Sequence, residues 1–167
     1  GGGNKRKYRM VDFRYDKKDI PAIVESVEYD PYRTGFIALV LFKDGERRYV
    51  LAPQTMVKGD EMIVSETAKP KIGNRLPLGV IAVATAVFNI EIKPGAGAKL
   101  ARSAGNVAEV VAHDNGYTLV KMPSTEVRKI ISTAWATIGA VSNEENRLVD
   151  LGKAGRNRHR GIRPKTR

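Results

Sequence analysis

FIALVLFKDGERRYVLA, residues 36–52, reads as a β-hairpin. Phe36–Phe42 is a continuous apolar run, the pattern of a strand buried on both faces. Asp44-Gly45 is a favoured two-residue hairpin turn, with glycine taking the positive φ. Arg47–Ala52 then returns as the partner strand. Upstream, YRMVDFRY (8–15) roughly alternates and AIVESVEY (22–29) follows, separated from the hairpin by the turn-rich DPYRTG (30–35). GDEMIVS (59–65) is a fifth strand candidate. Five strands in about sixty residues, with no long helix, predict a small closed barrel of the OB type.

A softer stretch, ETAKPKIGNRLPLG (66–79), carries two Pro and two Gly. The domain boundary is placed there, near residue 72. Strand patterns resume in TAVFNIEI, NVAEVVAH, YTLVKM, EVRKIIS and WATIGAV. Their short spacing predicts a second barrel, SH3-like in size. The expected organisation is all-β: a basic arm (1–9), an OB-like domain (10–72), an SH3-like domain (73–151) and a basic extended tail (152–167). Both barrels are small enough to depend on a partner for order.

Of 167 residues, 42% are hydrophobic, enough for a packed core. No apolar run reaches the ~18 residues of a membrane span. Gly1–Arg9 is glycine and charge, not a secretory signal. The absence of Cys excludes disulfides and thiolate metal sites. The formal net charge is +11, and its location is more informative than its size. Residues 1–9 hold four cations and no acid; residues 152–167 hold seven and no acid. The body between them has 18 basic and 18 acidic residues. Two purely basic ends on a neutral body suit a polyanion, nucleic acid first. An anionic membrane fits less well, because neither arm has an apolar face. A merely solvated tail is the remaining reading.

Four constellations follow. In NKRKYRMVDF, Lys5, Arg6, Lys7 and Arg9 can neutralise phosphates and Tyr8 can stack on a base; Arg14 extends the set. The alternative is a solvated arm with a core-facing tyrosine. In YDPYRTG, Arg33 lies on a turn at a barrel rim, where small barrels present binding residues, although a lone loop Arg is usually just exposed. In KPGAGAKLARSAG (93–105), small residues allow close backbone approach while Lys93, Lys99, Arg102 and Ser103 supply charge and donors. The competing reading is a flexible linker, and the spacing of an ATP-binding loop is absent. In the tail, Lys153, Arg156, Arg158, His159, Arg160, Arg163, Lys165 and Arg167 interleave with Gly and Asn. Guanidinium groups pair bidentately with phosphate and stack on bases. Such a segment is expected to be extended and to order on binding.

Catalysis finds no support. His113, in a predicted turn, and His159 lack carboxylates at metal-ligand or relay spacing. Glu144-Glu145 reads as a solvated loop pair. No enzyme activity, metal or cofactor is expected.

Taken together, GGGNKRKYRMVDF, IPAIVESVEYDPYRTGFIAL, KDGERRYVLAP, GNRLPLG, NIEIKPGAG, LARSAG, ATIGAVSN and LGKAGRNRHRGIRP resemble the bacterial-type L-two family of large-subunit ribosomal proteins, in family order. The resemblance implies an OB-like barrel followed by an SH3-like barrel. It implies binding to large-subunit ribosomal RNA near the peptidyl transferase region, support of assembly and subunit association, and no cofactor. Neighbouring ribosomal proteins and the small subunit are further implied partners; a membrane or small-molecule substrate is not. The setting would be a cytoplasmic ribosome, or an organellar one. Arg33 matches the Arg of the family's YDPxR turn and Arg102 that of its LARSAG loop, so both are implied RNA contacts. The main rival is a soluble SH3/OB-type translation factor that binds the ribosome transiently. Long arms without acid favour permanent burial in RNA instead.

The departures are Asn4 and Phe88, each in place of a family His, AGA for the family's KGG, and His159 for a tail Trp. Each is expected to alter one RNA contact. The family also extends beyond both ends, with a His in its glycine-rich C-terminal extension. The sequence is therefore expected to be a truncated form or a split-gene product, so that any role of that His in peptide transfer would not belong to this chain.

Overall fold

The hairpin at residues 36–52 is present, with a different turn. A computed structural model describes residues 5–165. Strand β1 (Ala22–Glu28) pairs antiparallel with β2 (Ile37–Phe42), and β2 pairs with β3 (Arg47–Leu51). The Phe42 N–H donates to the Glu46 carbonyl, and the Gly45 N–H to the Phe42 carbonyl, both at 2.9 Å. The loop is therefore Lys43-Asp44-Gly45, and only Gly45 has a positive φ, at 88°. This is the three-residue form, a type I turn followed by a left-handed glycine, not the two-residue turn expected. The two-residue form occurs instead at Asn115-Gly116, both at positive φ.

A short β4 (Glu61–Met62) adds to β1, giving a four-stranded sheet of order β3-β2-β1-β4 that curls into a half-barrel. The fifth strand expected at 8–15 does not form. Val11 makes one parallel bridge to Tyr49. The Asp12 carboxylate then accepts the N–H groups of Arg14 (2.8 Å) and Tyr15 (3.0 Å). That local turn competes with a strand, and Tyr15 leaves it at φ 53°.

The second sheet has six strands in the order β11-β10-β9-β6-β12-β5. They are β5 (Arg75–Pro77), β6 (Ala86–Phe88), β9 (Ala108–Asp114), β10 (Tyr117–Lys121), β11 (Val127–Ile131) and β12 (Trp135–Ile138). β5 lies in the stretch read as soft. The expected single strand TAVFNIEI breaks at Asn89, at φ 53°, into β6 and β7 (Ile90–Glu91). β7 pairs with β8 (Ala98–Leu100), inside the segment read as a loop. His113 is in β9, not in a turn. Its Nε2 donates to the Ile81 carbonyl at 2.9 Å, and Nδ1 takes the Thr118 hydroxyl at 3.0 Å.

The two sheets share apolar contacts. Trp135 of β12 packs among Ala22, Val40, Val50 and Met62 of the first sheet. A smaller cluster joins Leu51, Phe88, Ala101 and Val141, with Phe13 against it. The tail is not wholly extended, because Ala154–His159 forms a short helix, α1. Ala and Arg are good helix formers. Gly161, at φ 79°, ends the helix, with its N–H on the Arg158 carbonyl at 2.9 Å.

Candidate nucleic-acid interface

Arg33 and Arg102 are far apart in sequence and meet over one ring. Their guanidinium carbons lie 5.3 and 4.6 Å from the centroid of Phe13. Each is within cation–π range, so the ring holds two cations that would otherwise repel. Asp30, fully buried, anchors Arg33 through Nε at 2.5 Å. Burial alone would raise the pKa of Asp30. The Tyr32 N–H at 2.9 Å and the Arg33 guanidinium outweigh it, and the carboxyl titrates below its usual range. Asp30 thus stays charged and fixes the Arg33 side chain through Nε, leaving the terminal guanidinium nitrogens outside that ion pair and the side chain 19% exposed. Arg102 is steadied by a 3.3 Å bond from Nη1 to the Ala98 carbonyl.

The 93–105 segment is seated by backbone contacts. The Ala98 N–H donates to the Phe13 carbonyl at 2.8 Å. A Cβ on Gly97, at φ 81°, would stand 3.0 Å from that same oxygen, so glycine is required there. The Ala104 N–H reaches Thr34 Oγ1 at 3.0 Å, and the Asn143 side-chain amide reaches the Thr34 carbonyl at 2.6 Å. The rim turn and the small-residue loop are thereby one surface.

Beneath that surface lies a buried ionic network. Arg75 and Glu91 are both almost fully buried and 3.3 Å apart. Arg75 also donates to the Asn89 carbonyl (2.6 Å) and Thr137 Oγ1 (3.2 Å), and its guanidinium carbon sits 4.5 Å from the Tyr15 ring centroid. Burial lowers the Arg75 pKa, partly offset by Tyr15 and Glu91. Glu91 Oε2 accepts the Gly95 N–H at 3.1 Å and so ties the loop to the network. Burial also pushes the Tyr15 phenol up to about 12, against attraction to Arg75.

That shift sets a pH dependence. Tyr15 is neutral in both states below pH ~10. Between pH ~10 and about 12 only the unfolded chain ionises it, so its contribution is complete below ~10 and lost as pH rises. Two units correspond to roughly 3 kcal/mol. Urea unfolding at pH 9 and at pH 12 should show that excess loss in the native chain and its absence in Tyr15→Phe. Equal alkaline losses would remove Tyr15 from the account.

The arm and tail converge beside the Asp30–Arg33 turn. Arg6 Nη2 donates to the Arg160 carbonyl at 3.4 Å, and the Tyr32 hydroxyl to the Arg6 carbonyl at 3.5 Å. Tyr8 meets Tyr32 edge-on, with ring centroids 5.5 Å apart. A groove of about 550 Å³ results, with Arg33, His159 and Arg160 among its walls. Arg9 is placed differently: its Nε is 3.6 Å from Glu28. Arg14 lines a separate groove of about 800 Å³ with Met10, Leu39 and Tyr49. Lys5, Lys7, Lys93, Lys99, Ser103, Lys153, Arg156, Arg158, Arg163 and Lys165 are exposed. Asn4 and Arg167 lie outside the described residues.

The pairing of charges separates two sets of cations. Lys17, Arg47 and Arg48 are engaged by Asp44, Glu25, Asp12, Asp16 and Glu46. Among the described residues, no carboxylate lies within 4 Å of Arg14, Lys93, Lys99, Arg102 or any tail cation. Among the described residues no group of three or more His, Asp or Glu could hold a metal ion.

Comparison with known proteins matches this layout in sequence order. Residues 1–64 match the family model "Ribosomal Proteins L2, RNA binding N-terminal domain", and residues 71–167 match "Ribosomal Proteins L2, C-terminal domain". The chain belongs to the ribosomal protein L2 family. It is bacterial in type: all 167 residues align with the large ribosomal subunit protein uL2 of Methylococcus capsulatus at 54% identity and of Granulibacter bethesdensis at 52%. The chain covers 61% and 60% of those proteins' lengths.

Within this L2 chain, the departures from the family pattern differ in kind. Phe88 is completely buried against Leu51, Ala101 and Val141. It fills the core and has no exposed surface from which to make a direct RNA contact. Ala98 is buried as well, whereas His159 faces the groove. Sequence reasoning missed Phe13, Asp30, Tyr32 and Asn143. Phe13 looked like one more alternating strand residue. The usable signal was Asp30 three residues before Arg33, which on a turn can form a local ion pair.

Proposed function

We propose that this L2 chain is a structural, non-catalytic component of the large ribosomal subunit that binds its ribosomal RNA. The setting is the cytoplasmic ribosome of a bacterium, and neighbouring ribosomal proteins are further partners. The carrying observation is the Arg33–Phe13–Arg102 cluster. Two arginines that family resemblance marks as RNA contacts are held by a shared ring and a buried carboxylate, Arg102 exposed and Arg33 partly so. Unpaired cations of the 93–105 loop and the tail surround it. We assign the curled first sheet to an OB-like barrel spanning residues 10–72 and the second to an SH3-like barrel spanning 73–151. Residues 1–9 and 152–167 are basic extensions. Phosphates supply affinity, and the fixed spacing of the two arginines reads A-form shape.

Binding to large-subunit ribosomal RNA fragments across a salt series tests this. Arg33→Ala and Arg102→Ala should each weaken binding to the preferred fragment by about 10- to 150-fold, the worth of a charge-assisted hydrogen bond. Each should lower the salt slope by roughly 0.7–0.9. Weak binding to every RNA, unchanged by either variant but abolished by removing residues 152–167, would reduce the protein to a nonspecific polyanion arm.

A further inference from the structure

Building on the RNA-binding reading, we infer that the groove between arm, turn and tail takes one unpaired base of the RNA, with Tyr32 as its stacking platform. Phosphate clamping alone needs no aromatic ring, yet three tyrosines stand exposed on this face. Tyr8, Tyr29 and Tyr32 are 68%, 67% and 52% exposed. Tyr8 touches Tyr32 edge-on, at 76° between planes, and the Arg6 guanidinium carbon lies over the Tyr32 ring at 5.9 Å from its centroid, so the base is assigned to the ring face opposite that cation. The Tyr32 ring is held in place by its hydroxyl on the Arg6 carbonyl and by the Asp30 turn.

The groove's size and walls suit a nucleotide. Its volume, about 550 Å³, lies in the ordinary range for small-ligand sites. Tyr29 and Tyr32 are among its walls, and the Asn146 amide and the Asn143 side-chain carbonyl, whose NH2 already holds the Thr34 carbonyl, offer polar partners for a base edge. His159 and Arg160 stand at the same groove for the flanking phosphates, and no carboxylate lines it among the described residues. Base-on-aromatic stacking is tolerant of sequence and requires an accessible π-face. A base inside an A-form duplex has none, so the ligand is a looped-out or single-stranded nucleotide.

Two RNA probes of equal length and charge discriminate, a hairpin with an adenine-rich loop carrying 2-aminopurine and a blunt duplex, each titrated against the full chain at three salt concentrations. The native chain should prefer the hairpin and quench the 2-aminopurine. Tyr32→Ala should weaken hairpin binding about 5- to 150-fold by the same factor at every salt concentration, leave duplex binding unchanged and abolish the quenching. Tyr32→Phe should keep the hairpin preference and the quenching with only a small loss of affinity, because it retains the ring and gives up only the weak 3.5 Å hydrogen bond to the Arg6 carbonyl, and Tyr29→Ala should show a smaller loss than Tyr32→Ala of the same kind. Equal loss on both probes, or none on either, would overturn the stacking site while leaving the phosphate contacts of Arg33 and Arg102 standing. Failure of the native chain to bind any ribosomal RNA fragment would sink the RNA-binding reading and this inference with it.

Discussion

Replacing Glu91 with Ala is expected to destabilise the protein by about 3–5 kcal/mol, the cost of leaving a buried partner charge uncompensated. Arg75 is fully buried and has Glu91 as its carboxylate, so the variant strands a guanidinium in a low-dielectric core. The loss extends beyond the pair. Glu91 Oε2 accepts the N–H groups of Gly95 (3.1 Å) and Trp135 (3.4 Å); the buried Trp135 N–H loses its partner, and the exposed Gly95 loses its tie to the core. For a chain of this size each kcal/mol is worth roughly 2–4 °C in Tm, so a drop on the order of 10 °C should be visible by calorimetry. The double variant Arg75→Met with Glu91→Leu should recover much of the loss, because removing both charges also removes their desolvation cost. A single-variant loss under about 1 kcal/mol in urea unfolding would mean that water reaches the pair and that the network does not support the loop.

Neutralising the tail should have the largest effect on binding. Arg156→Gln, Arg158→Gln, Arg160→Gln and Arg163→Gln together remove four exposed cations that no carboxylate engages among the described residues. If each meets one phosphate, the slope of log K against log salt should fall by about 3, and affinity at 0.1 M salt by about a thousandfold. Stability should hardly change, since no residue of α1 is buried. A slope reduced by less than one unit would place the tail away from the RNA backbone. Comparison with Arg33→Ala and Arg102→Ala then separates the surface around Phe13 from the C-terminal tail.

Period-two alternation and turn chemistry made the β architecture legible, because side chains on a strand must face alternately in and out. Phe36–Ala52 is the clearest case. The turn itself was misread by one residue, since Asp-Gly serves both two-residue and three-residue loops and the choice depends on how Phe42 and Glu46 register across the pair. Tyr8–Tyr15 shows where alternation misleads. Asp12 spends its carboxylate on the N–H groups of Arg14 and Tyr15, and the ladder stops there. The short helix at Ala154–His159 was missed because six residues carry too little periodicity to register.

Alternation and turn chemistry determined that this is a predominantly β chain, charge order that it has a neutral body and cationic ends, and family motifs pointed to Arg33 and Arg102. Which cations are available to a ligand was decided only by tertiary structure. Ion pairing is a matter of distances of a few ångströms between residues far apart in sequence: Arg48 is consumed by Asp12, Asp16 and Glu46, while Arg102 keeps its charge outward over Phe13. The meeting of Arg33 with Arg102, and of Arg6 and Arg160 beside Tyr32, follows from how the two sheets pack through Trp135 and Phe88. Packing is a property of surfaces that a linear pattern of residues does not display.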